Sequence, residues 1–85
     1  MTDRTPQLTL MSRAYCHLCH DMEAALQPLL EEFGVGLQVL DVDADPALEA
    51  RYDEKVPVLL LDGQELCHYF LDADRVRQAL GRRRD

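Results

Sequence analysis

Cys16 and Cys19 stand two residues apart in the run Arg13-Ala14-Tyr15-Cys16-His17-Leu18-Cys19-His20. Side chains of this type and spacing support three chemistries. Two thiols within reach of each other interconvert between dithiol and disulfide, one attacking a substrate and the other resolving the product. Thiolates and imidazoles are also ligands for zinc or an iron–sulfur cluster. The letters Cys16-His17-Leu18-Cys19-His20 further match Cys-x-x-Cys-His, the attachment pattern for c-type haem. The elements that hold the pair decide among them.

A short strand over residues 7–12, with Leu8 and Leu10 on one face, leads into the motif. Beyond it, Leu18, Met22, Ala25, Leu26, Leu29, Leu30 and Phe33 recur at the spacing of one helix face, and Gly34 is a natural stop. Pro28 falls inside this helix, where it should kink the chain or remove one hydrogen bond. The cysteines therefore sit where a strand ends and a helix begins. Unpaired N–H groups and the positive end of the helix dipole favour thiolate over thiol there, and the thiolate is the nucleophile. Cys16 reads as the exposed attacker and Cys19, one turn on, as the more buried resolving thiol. Arg13 could bring a cation towards the thiolate. Protonated His17 and His20 would act in the same sense, while Asp21 and Glu23 oppose it.

The remaining chain supplies the frame. Residues 36–41 read as a second strand, and Asp45-Pro46 as the start of a short helix over about 46–53. An apolar strand over 57–61 is followed by the turn signal Asp62-Gly63 and a pairing strand over 64–69. Asp72 caps a last helix that carries Val76, Ala79 and Leu80 inward and ends at Gly81. The order β-α-β-α-β-β-α predicts an α/β fold: a mixed four-stranded sheet flanked by helices on both faces, with a right-handed parallel crossover first and a hairpin last. Leu26, Leu29, Leu40, Leu59 and Leu61 are the expected core. The 85 residues suit one domain spanning 1–85, with its core at about 7–80.

Val56-Pro57 stands immediately before the third strand, a place where proline is tolerated and where a cis peptide bond is possible. With this element the pattern resembles a known family. Arg13 to His20 resembles the active-site segment of glutaredoxins, in the thioredoxin superfamily, and Val56-Pro57-Val58-Leu59-Leu60-Leu61-Asp62-Gly63 resembles their valine–cis-proline strand and turn. The resemblance runs from about residue 7 to 80 and is nearest to the small bacterial glutaredoxin-like proteins. It implies a thioredoxin-like fold and a thiol–disulfide oxidoreductase that reduces protein or small-molecule disulfides. Cys16 and Cys19 would be catalytic. Arg13, Tyr15, His17, Val56 and Pro57 would line the substrate site, with Pro57 cis beside the dithiol and the Val56 backbone pairing with an extended substrate. Its partners would be a disulfide-containing protein or small thiol, and an electron-donating reductant. Two departures stand out. His17-Leu18 replaces the family's proline and tyrosine, which changes the redox poise, and Cys67-His68-Tyr69-Phe70-Leu71 replaces the Gly-Gly and acidic pair that hold glutathione's γ-glutamyl end. No resident cofactor is expected, and glutathione is not favoured as the specific co-substrate.

Charge excludes one class of partner. Sixteen acidic residues against nine basic give a net −7, the wrong sign for a nucleic-acid binder. Arg82–Arg83–Arg84 reads as a solvated tail. The longest apolar run, Val56 to Leu61, is too short to cross a bilayer. The polar opening Met1 to Gln7 lacks the apolar stretch of an export signal. A cytoplasmic monomer is the expectation, and this also opposes haem attachment. Metal binding stays open through Cys16, Cys19, His20, Cys67 and His68, of which sequence brings only the first two together. So does a binding module that keeps the cysteines without turnover. Arg13 reads equally as a solvated surface residue, His17 and His20 as exposed helix residues, Cys67 as a half-buried strand residue, and Tyr15 and Tyr69 as either packing or a shield over the dithiol.

Overall fold

The computed structural model describes residues 8–52 and 55–83. Residue 7, residue 53 and Arg84, which figure in the expected boundaries and tail, lie outside them. The elements run β1 (Leu8–Ser12), α1 (His17–Phe33), β2 (Leu37–Asp41), a 3₁₀ turn (Val42–Ala44), α2 (Pro46–Tyr52), β3 (Val58–Leu61), β4 (Gln64–His68) and α3 (Ala73–Arg83). The sheet order is β2-β1-β3-β4. β1 pairs parallel with β2 and antiparallel with β3, and β3 pairs antiparallel with β4. The fold is the mixed α/β arrangement that the alternation of elements predicts.

Strand alternation sorts the core into two layers. Leu8, Leu10, Leu59 and Leu61 pack with Met22, Leu26 and Leu29 of α1 and with Val76 and Leu80 of α3. Met11, Val58 and Leu60 point the other way, towards Val42 and Tyr52. β3 is buried along its whole length, as a central strand covered on both faces must be. A bulge between Leu59 and Leu60 shifts the pairing with β4. It turns both Leu66 and Cys67 towards the α1–α3 layer.

Side-chain oxygens start the later elements. The Asp45 carboxylate accepts from the Ala47 N–H at 2.9 Å and opens α2, and Asp72 accepts from the Arg75 N–H at 3.1 Å and opens α3. Asp62 and Gly63 both have positive φ, 51° and 88°, the requirement of a two-residue hairpin turn.

Three local expectations need correction. Leu18 and Ala25 are exposed; the buried stripe of α1 is Cys19, Met22, Leu26 and Leu29, rotated slightly from the expected face. Pro28 lies inside α1 as expected, and the helix continues to Phe33 and stops at Gly34 in the left-handed region, φ 64°. Proline has no N–H to give, but an exposed helix face tolerates the loss when the other face is packed. α3 runs past Gly81 to Arg83, because that glycine does not take the positive φ that ends a helix. Leu40 is half-buried on the site-side layer, since β2 is an edge strand. The 3₁₀ turn had no clear sequence signal.

Candidate active site

Strand pairing gathers three segments at one end of the sheet. Met11, near the end of β1, lies opposite Val58 at the start of β3, and Val58 lies opposite His68 at the end of β4. The β1–α1 loop, the Val56-Pro57 segment and the turn after β4 therefore share that end.

Cys16 is the N-cap of α1, with extended backbone angles of φ −109° and ψ 110°. Its sulfur accepts the backbone N–H of Cys19 at 3.1 Å, the bond a capping oxygen makes in other helices. Its carbonyl accepts the His20 N–H at 3.2 Å. Cys16 and Cys19 are joined as a disulfide with Cα atoms 5.2 Å apart, within the ordinary range. Cys19 is wholly buried among Met11, Val42, Tyr52, Val56, Val58 and Leu60, while Cys16 packs at the margin of that cluster. The first turn of α1 carries no acidic residue; Asp21 begins the second. A sulfur at Cys16 thus faces a helix N-terminus that no carboxylate on that turn opposes.

The Val56–Pro57 peptide bond is cis, and both residues are buried. The Pro57 carbonyl accepts the Tyr69 N–H at 2.9 Å, which ties the turn after β4 to this segment. Tyr69 has φ 65°, uncommon for a large side chain. The Phe70 N–H closes the turn on the His68 carbonyl at 2.7 Å. Phe70 is 71% exposed, Tyr69 40% and Tyr15 80%, so this end of the molecule presents three aromatic rings to solvent.

Arg13 does not point its charge into open solvent. Its Nε donates to Asp43 Oδ1 at 3.1 Å, and the Tyr15 hydroxyl donates to Asp43 Oδ2 at 3.3 Å. Asp43 is itself oriented through its backbone N–H, which donates to Asp41 Oδ1 at 2.9 Å. Sequence reasoning missed Asp43. It lies 30 residues from Arg13, in the one short element without a sequence signal. His17 and His20 lie exposed on α1.

Cys67 stands apart from this cluster, half-buried on β4. Burial pushes its thiol up, which a hydrogen bond to the Asp72 backbone partly offsets. Glu65 on the same strand accepts from Lys55 at 2.8 Å and contacts His68 Nδ1 at 3.1 Å; the Lys55 bond holds its carboxyl below the usual value. Among the described residues no group of three His, Cys, Asp or Glu side chains is arranged to hold a metal ion. Among the same residues no helix is long and apolar enough to cross a membrane.

The arrangement matches known proteins at each level. The uncharacterized protein Rv0508 of Mycobacterium tuberculosis is 34% identical over 82 residues, covering 91% of this chain and 84% of its own. The solution structure of protein Ne2328 from Nitrosomonas europaea superposes with a TM-score of 0.81 at 34% identity, over 93% of this chain and 95% of that one. The X-ray structure of protein XcR50 from X. campestris gives 0.64 at 36% identity, over 88% and 96%. Thioredoxin 1 from Thermosipho africanus shares the fold, with a TM-score of 0.63 at 17% identity over 93% and 99%. The family model described as "Glutaredoxin-like domain (DUF836)" matches residues 7–81, and the chain belongs to that family.

Proposed function

We propose that the protein is a thiol–disulfide oxidoreductase that uses Cys16 and Cys19 to reduce disulfides in polypeptides. The observation that carries this is the Cys16 sulfur at the N-cap of α1, accepting the Cys19 N–H at 3.1 Å, with Cys19 buried behind it. In the reduced protein the Cys16 thiolate attacks one sulfur of the substrate disulfide. A Cys16–substrate bond forms, and the other substrate sulfur leaves as a thiolate and takes up a proton. Cys19 gives up its proton and attacks the Cys16 sulfur, which releases the second substrate thiol and closes the Cys16–Cys19 disulfide. Two electrons and two protons pass to the substrate. A low-molecular-weight thiol or a dithiol protein restores the reduced pair, and no resident cofactor takes part.

The surroundings favour a polypeptide over glutathione. Tyr15, Tyr69 and Phe70 expose apolar area where an extended chain flanking the disulfide would lie, with the Val56 backbone available to pair with it and Pro57 beneath. The turn after β4 holds aromatic side chains where glutathione-specific relatives carry glycines and acids. Arg13 and His17 lie on either side of Cys16 in the chain. The protein acts on cytoplasmic substrates as a monomer.

The test is reduction of an unfolded polypeptide carrying one intramolecular disulfide, with dithiothreitol as the reductant. The protein is expected to raise the rate at least tenfold. Cys16→Ser abolishes the increase, and Cys19→Ser accumulates a mixed disulfide at Cys16. Full activity in both variants would overturn the assignment.

A further inference from the structure

Of the two described non-glycine residues at positive φ, Asp62 serves the β3–β4 hairpin, and Tyr69 stands at 65° immediately after β4. Aspartate tolerates that region, whereas a ring-bearing side chain resists it. Across Tyr69 the Phe70 N–H donates to the His68 carbonyl at 2.7 Å. A three-residue turn closed in this way, with positive φ at its centre, is the rare and strained hand of the γ-turn. A glycine would follow the same path at no steric cost. Such a conformation persists only where its surroundings fix it.

The turn holds the segment that enters β3. The Tyr69 N–H donates to the Pro57 carbonyl at 2.9 Å. On the other side of Val56, the Lys55 ammonium donates to Glu65 Oε1 at 2.8 Å. β4 and its turn therefore tie down the residues immediately before and after Val56. The two ties are joined: Glu65 Oε2 contacts His68 Nδ1 at 3.1 Å, and the His68 ring meets the Tyr69 ring edge-on, with centroids 4.8 Å apart and planes at 68°. Val56 lies in the same buried cluster as Cys19, against which Cys16 packs. We infer that Tyr69 is a positioning residue: its positive-φ turn fixes the Pro57 carbonyl, and with it the course of the Val56 backbone that pairs with an extended substrate. This rests on the oxidoreductase reading, in which that backbone receives a polypeptide. Loss of the turn misplaces the pairing backbone, and a polypeptide lying along Val56 registers the displacement. A small disulfide with no backbone to pair does not, because Cys16 and Cys19 are held by the start of α1.

The experiment compares Tyr69→Gly with Tyr69→Val. Both lack the ring, but glycine takes the positive φ freely and a β-branched residue resists it. Catalysed reduction is measured for the disulfide-bearing polypeptide and for bis(2-hydroxyethyl) disulfide, each above the background with dithiothreitol. The ratio of kcat/KM between the glycine and valine variants is expected to be about ten for the polypeptide and about one for the small disulfide. Equal polypeptide values in the two variants overturn the inference, because only the ring would then matter. An equal ratio for both substrates also overturns it, because the turn would then support the dithiol itself. Amide hydrogen exchange at residue 69 reads the Pro57 bond without substrate: slow in the wild type and in Tyr69→Gly, faster in Tyr69→Val. Indistinguishable exchange in the two variants counts against the inference in the same way. If Tyr69→Val does not fold, Tyr69→Ala against Tyr69→Gly carries the comparison, since alanine also resists positive φ. A wild type that catalyses reduction of neither substrate sinks the oxidoreductase reading and this inference with it, whereas an active wild type with a polypeptide ratio near one sinks only the role of Tyr69.

Discussion

On one side of the sheet lie ten buried side chains: seven leucines from β1, β3, β4 and α1, an eighth from α3, Met22 and Val76. On the other lie seven of mixed type, Met11, Cys19, Val42, Tyr52, Val56, Val58 and Leu60, drawn from strands, helices, the 3₁₀ turn and the segment before β3. The first layer is a bulk apolar store that contains neither cysteine of the pair. The second contains Cys19 itself. A defect in the leucine layer should cost stability and leave chemistry alone, whereas a defect in the mixed layer should move both, because the residues that pack Cys19 also fix the floor of the site.

The largest effect sharpens this contrast. Leu26 is fully buried at the centre of the leucine layer, and Leu26→Ala should destabilise by about 3 kcal/mol. Disulfide reduction per folded molecule should stay at the wild-type rate. Urea unfolding and the polypeptide assay together check it; a slowed reaction in the folded fraction would erase the distinction between the layers. Val42→Ala, in the mixed layer and also fully buried, should cost about 2 kcal/mol. It should in addition change the rate of Cys16 alkylation, because Val42 shares a buried cluster with Cys19, against which Cys16 packs. An unchanged rate would mean that the second layer is only packing.

Smaller effects belong to the far end of the sheet. Gly63 has φ 88°, and a Cβ there would meet open space, so the cost of Gly63→Ala is conformational, about 1 kcal/mol. The thermal midpoint should fall while the dithiol's equilibrium with glutathione stays put. The smallest concerns Glu65. Its carboxyl is held below 4.5, chiefly by the Lys55 hydrogen bond. A depressed folded-state pKa contributes stability above the unfolded value, and that contribution is lost as pH falls through the folded one. For a pair this exposed it amounts to a few tenths of a kcal/mol. Glu65→Gln should therefore narrow the fall in urea midpoint between neutral pH and pH 3, and an unaltered fall would remove the pair from the account.

The two layers also differ in how far the sequence reveals them. Leu8 with Leu10 and Leu26 with Leu29 repeat at strand and helix periods, so the leucine layer and the element order can be read directly. Cys16, Cys19 and Val56-Pro57 are legible because motif and setting agree. Asp43 is not: it reaches Arg13 and Tyr15 through a 3₁₀ turn too short to show a period. Leu18 illustrates a subtler limit. It continues the apolar spacing of α1, but the helix starts at His17 and turns that position to solvent, next to the site. In the first turn of a helix an apolar residue at the right spacing can face outward, because the buried stripe is set by Cys19, Met22, Leu26 and Leu29.

The central claim is that Cys16 and Cys19 form one reversible redox pair. A titration of the purified protein in glutathione buffers of graded potential, quenched by alkylation and read by mass spectrometry, tests it most directly. The account predicts that Cys16 and Cys19 gain and lose their labels together, as one two-electron couple, while Cys67 remains a free thiol throughout. Independent modification of Cys16 and Cys19, or a disulfide formed through Cys67 in their place, would contradict it.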